Sequence, residues 1–96
     1  MFARITHYKM KPEMLDDAKA KVAELESKIM GMPGIVQFIN AVDDDTGAGY
    51  VVSISESRAL AEANAETAKA IWGMFADHLV EMPTPEGFEV AANWKS

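Results

Sequence analysis

His78 is the residue of this sequence best suited to acid–base work, and it follows Trp72 and Phe75 at helical spacing. An imidazole can take a proton, or coordinate a metal or haem, near neutral pH. A histidine close to a helix C-terminus is equally consistent with a structural position, since the helix dipole favours positive charge there. At about 100° per residue, Ala68, Trp72, Phe75 and Leu79 share one stripe while Ile71 and His78 flank it. Such a stripe is either a core seam or one wall of a pocket.

Other polar side chains can hold a substrate. Tyr50 and Tyr8 can hydrogen-bond a substrate hydroxyl, and Asn40, Arg4 and Asn93 can do the same from neighbouring segments, although each also suits a sheet edge or an interface. His7 faces either the helices or an interface, and only the first would bring it near His78. Two histidines make too small a ligand set for a zinc site, so no metal is expected. The acidic run Asp43-Asp44-Asp45-Thr46-Gly47 resembles a calcium loop only superficially. Ile54 stands where that motif needs its closing glutamate, and a hairpin turn explains the run.

The elements that must position these residues follow from periodicity. Phe2 to Met10 alternates as a strand in which neither parity is purely apolar, as expected of a central strand covered on both faces. Pro12 opens a helix running to about Met30, with Leu15, Ala18, Val22, Leu25 and Ile29 as its apolar stripe. Gly31 and Pro33-Gly34 end it. Ile35–Val42 reads as a second strand and Gly49 or Tyr50 to Ser55 as a third, joined as an antiparallel hairpin. A long helix is expected over Ser57–Met82, stopped by Pro83 and Pro85, and a fourth strand over Gly87–Trp94.

Composition bounds what such a chain does. With 96 residues, 49% hydrophobic and 25% charged, it fits one globular domain spanning residues 1–96. No apolar run reaches the roughly 20 residues a bilayer requires, so no membrane association is expected. The absence of cysteine agrees with a cytoplasmic location. A net charge of -6, from 15 acidic and 9 scattered basic residues, argues against nucleic acid as a partner.

The order βαββαβ predicts a ferredoxin-like α+β fold, a four-stranded antiparallel sheet with two helices on one face. Both parities of the first two strands carry apolar residues, so the second sheet face also needs cover. A second copy of the chain, stacked sheet on sheet, is the expected cover, giving a homodimer.

The chain resembles the dimeric α+β barrel superfamily, and within it the antibiotic-biosynthesis-monooxygenase-like proteins. The matching features are Lys11-Pro12 at the first helix start, Met32-Pro33-Gly34-Ile35 leading into the second strand, the hairpin, and Ser55-Glu56-Ser57 before the long helix. The resemblance implies a pocket between helices and sheet for a small apolar or aromatic ligand. It also implies cofactor-independent oxygenation of an aromatic or quinol-type substrate, with no cofactor; the residues weighed above would then serve it, His78 as base and Trp72, Phe75, Tyr50, His7 and Asn40 around the substrate. The alternative is a non-catalytic dimer that binds a small ligand or serves as an interaction module. The haem-degrading branch is similar in using a first-strand asparagine, a tryptophan and a late-helix histidine. Here only His78 approximates that pattern, and the first strand carries Thr6 and His7 instead.

Overall fold

The computed structural model describes residues 1–96. Strand β1 (Phe2–Lys9) leads through a short 3-10 turn (Pro12–Met14) into helices α1 (Leu15–Glu24) and α2 (Glu26–Met30). The hairpin β2 (Ile35–Val42) and β3 (Ala48–Ser55) follows, then α3 (Arg58–Ala63), α4 (Ala65–Gly73) and β4 (Glu86–Glu89). The sheet order is β2-β3-β1-β4 and every pairing is antiparallel. This is the expected ferredoxin-like α+β architecture, with the helices on one face.

Register fixes which parity faces the helices. Phe2, Arg4, Thr6 and Tyr8 of β1 lie opposite Ser55, Ser53, Val51 and Gly49 of β3. On β2, Phe38 and Asn40 pair with Ser53 and Val51 and therefore join the same face. A bulge at Val36 resets the alternation after Ile35. The core cluster of Tyr8, Met10, Leu15, Ala18, Phe75 and Leu79 closes the gap between this face and the helices.

Local chemistry sets the boundaries. The Ser57 hydroxyl accepts from the Leu60 amide and caps α3. In the hairpin, the Asp43 carboxylate accepts from the Asp45 and Thr46 amides, and Gly47 adopts φ +79°, a conformation that favours glycine. Gly34, at φ +80°, packs so closely on Leu60 that a Cβ there would lie 2.6 Å from its Cδ1.

Two expected boundaries move. The long helix expected over Ser57–Met82 is broken at Asn64, and its last regular residue is Gly73. The chain then tightens into turns and runs alongside the end of β1, where the Lys11 amide donates to the His78 carbonyl and the Val80 amide to the Lys9 carbonyl. Those bonds satisfy an edge that β4 does not reach, which is why helix gives way to extended backbone there. The strand expected over Gly87–Trp94 ends at Glu89, which pairs with Phe2; one further bond runs from the Val90 amide to the Met1 carbonyl. Beyond that bond the segment makes no ladder pairing, and Trp94 is 92% exposed.

Candidate functional site

A cleft opens between the helix-facing side of the sheet and helices α1, α2 and α4. Its cavity volume is about 80 Å³, continuing into a mouth that brings the open space to about 680 Å³. Strands supply the floor with Arg4, Thr6, Tyr8, Asn40, Val51 and Ser53, while Val22, Ile29, Ala68, Ile71, Trp72 and Phe75 form the roof. Polarity is thus confined to the sheet. No carboxylate and no histidine is among the lining residues.

The Tyr8 hydroxyl donates to Asn40 Oδ1 at 2.5 Å, across two strand positions. Gly49 makes this reach possible. A Cβ at Gly49 would stand 2.7 Å from the Tyr8 hydroxyl, so the phenol ring lies over a residue that has no side chain. Burial pushes the Tyr8 pKa up from its ordinary 10.0, which keeps the group a neutral donor at physiological pH. Trp72 covers it, with ring centroids 5.5 Å apart and planes tilted by 54°. A flat ring placed under Trp72 meets an apolar surface above and a hydrogen-bonding pair at its edge.

Arg4 completes the floor. The chain has two arginines: the exposed Arg58 approaches Glu89 at 3.7 Å, whereas Arg4 has no ion-pair or hydrogen-bond partner in the protein. Ser53 lies directly opposite it in register.

Of the residues expected from sequence, Trp72, Phe75 and Asn40 come together in the cleft. His78 does not. It is buried at 5% exposure behind Phe75, whose ring packs edge-on against it at 5.6 Å, and its Nε2 lies 2.6 Å from Asp17 Oδ2. Its Nδ1 is buried without a partner. His78, expected as the base at the substrate, therefore does not line this cleft: α4 ends at Gly73, and the turns after it swing His78 onto α1. His7 and Tyr50 are also displaced, because they occupy the odd parity of β1 and its facing position on β3. They stack on each other on the opposite sheet face, 4.6 Å between ring centroids.

Thr6 and Ser53 are lining residues that sequence reading did not single out, and Arg4 and Tyr8 were only two among several polar candidates. One signal bears on β1: its even parity sets Arg4 and Thr6 side by side between Phe2 and the pair Tyr8 and Met10, a mixture unsuited to a closed core.

No protein-family model and no curated protein matches the sequence. Solved structures do match by shape. A crystal structure of an antibiotic biosynthesis monooxygenase superposes with TM-score 0.76 at 19% identity, covering 96% of this chain and 100% of the other. The haem degrader MhuD from Mycobacterium tuberculosis, with two haems in its active site, gives TM-score 0.75 at 18% identity over 99% of this chain and 100% of that one. An MhuD variant with two manganese protoporphyrin IX molecules per active site gives 0.78 at 17% identity, with both chains fully covered. The chain thus shares the fold of these antibiotic biosynthesis monooxygenase and MhuD structures.

Proposed function

We propose that the protein is a cofactor-independent monooxygenase whose cleft takes a small aromatic or quinol-type substrate. The observation that carries this reading is the Tyr8–Asn40 pair set into an otherwise apolar slot beneath Trp72. With its one proton given to Asn40, the Tyr8 hydroxyl oxygen accepts from a ring hydroxyl of the substrate, Asn40 orients Tyr8, and Trp72 and Phe75 exclude water. Electrons come from the substrate itself. For an anthrone, the ring CH2 carbon becomes a carbonyl carbon, one oxygen atom of dioxygen enters as that carbonyl oxygen, and the other leaves as water with the two hydrogens. His78 is a positioning residue in this scheme, seating Phe75 from behind.

Haem does not suit the cleft. The lining residues offer no imidazole to an iron, and the Nε2 of His78 is held by Asp17 outside the cavity.

One observation favours a second reading. The lining residues include no carboxylate or imidazole to take a proton near neutral pH, as suits a dimer that binds a small ligand without turning it over. Oxygen uptake separates the two. Under air, a panel of anthrones and hydroquinones should consume oxygen, with kcat falling about tenfold in Tyr8→Phe and in Asn40→Ala, while added haem produces no Soret shift. Absence of uptake on every ring, together with binding of an apolar dye that Trp72→Ala abolishes, would establish the binding module instead.

A further inference from the structure

We infer that the ligand of the cleft is an aromatic acid whose carboxylate is held by Arg4. This rests on the aromatic-cleft reading above and adds the substrate's charge to it.

Arg4 projects from β1, which is hydrogen-bonded on both sides, by β3 and β4. Arg4 is half-buried in a largely apolar cleft, where a guanidinium keeps only part of its hydration and is favoured by an anion beside it. The protein supplies none: the cleft contains no acidic residue, and the salt bridges of the chain join Lys19 to Asp44, Arg58 to Glu89 and His78 to Asp17. This shortage occurs in a chain with 15 acidic residues against 9 basic ones, where a carboxylate partner is the easiest thing to provide. The one other arginine has such a partner. An unpaired cation lining a cavity is suited to an anion brought by the ligand.

A planar oxyanion suits this position, and on a small aromatic ligand that group is a carboxylate. A guanidinium presents a planar fork of N–H donors that matches two coplanar oxygens. The Ser53 hydroxyl, across the ladder from Arg4, adds a donor on the same side of the sheet. The Tyr8–Asn40 pair lies four residues along β1, about 13 Å away at the Cα positions. The two polar groups thus read opposite ends of one ligand, an acid at Arg4 and a ring oxygen at Tyr8, with the aromatic body under Trp72.

Isothermal titration with 6-hydroxy-2-naphthoate and its neutral carboxamide tests this on the full chain. The carboxylate should bind at least about tenfold more tightly than the carboxamide, as a charge-assisted bidentate pair implies. Arg4→Gln should remove that preference while changing carboxamide affinity less than about twofold, and Arg4→Lys should restore part of it. Should Arg4→Gln fail to fold, Arg4→Met and Arg4→Lys carry the same comparison. Equal affinity for the two probes, or a preference that survives the loss of Arg4, overturns the inference. If the probes bind equally and Trp72→Ala abolishes both, only the acid is wrong and the aromatic cleft stands. If neither binds, both readings fall.

Discussion

The Tyr8 phenol keeps its proton further into alkaline solution than a free tyrosine does, because burial disfavours the phenolate. Its folded pKa is raised, so its contribution to stability is present below the ordinary value of 10.0 and is lost as pH rises through the folded value. Between those two values the unfolded chain has released a proton that the native chain still holds. The urea midpoint is therefore expected to fall as pH rises past the ordinary value of 10.0, and Tyr8→Phe should remove part of that fall. An identical alkaline loss in the variant would show that Tyr8 does not carry it. The same residue decides how the floor is built, since its hydroxyl reaches Asn40 only because Gly49 carries no side chain.

Among the elements, α4 and the turns after it bind the roof to the rest of the chain. Phe75 is 3% exposed, lies under the Lys21 ammonium at 5.4 Å, and belongs both to the core cluster and to the cleft wall. Lys21 also donates to the Met74 carbonyl at 2.7 Å, and Lys11 to the Asp77 carbonyl at 3.0 Å. Phe75→Ala is expected to cost about 3–5 kcal/mol, read from chemical denaturation, through lost burial and the cavity left behind. A loss below about 1 kcal/mol would mean that the site collapses around the deletion. Helical periodicity was enough to place Trp72 and Phe75 on one stripe, and alternation with turn residues placed all four strands. Parity was not legible. Both faces of β1 mix apolar and polar residues, one because it floors a cleft and the other because it is an uncovered apolar surface, so His7 and Tyr50 could not be separated from Asn40. Nor could the end of the long helix be read, because its apolar spacing continues through Leu79 while the edge bonds to Lys9 and Lys11 decide the backbone.

At the scale of the molecule, the sheet face away from the helices stands open. Ile39, Tyr50 and Phe88 are 45%, 53% and 49% exposed on it, beside Val52 and the buried Ile54. We propose that a second copy of the chain covers this face, as in sheet-on-sheet packing. Sedimentation at micromolar concentration should give a dimer, and Ile39→Lys should shift it to monomer by burying an unpaired charge at the contact. A wild-type monomer would sink the proposal. No helix is long and apolar enough to cross a membrane. The separation of a polar floor from an apolar roof also bears on how such a protein can diverge. The strands are locked by ladder hydrogen bonds, so Arg4, Tyr8 and Asn40 keep their spacing when residues of α1, α2 or α4 change. Exchanges in the helices alter the outline of the molecules admitted, and exchanges in the strands alter the functional groups recognised. New specificities can therefore arise one layer at a time, without both being rebuilt together.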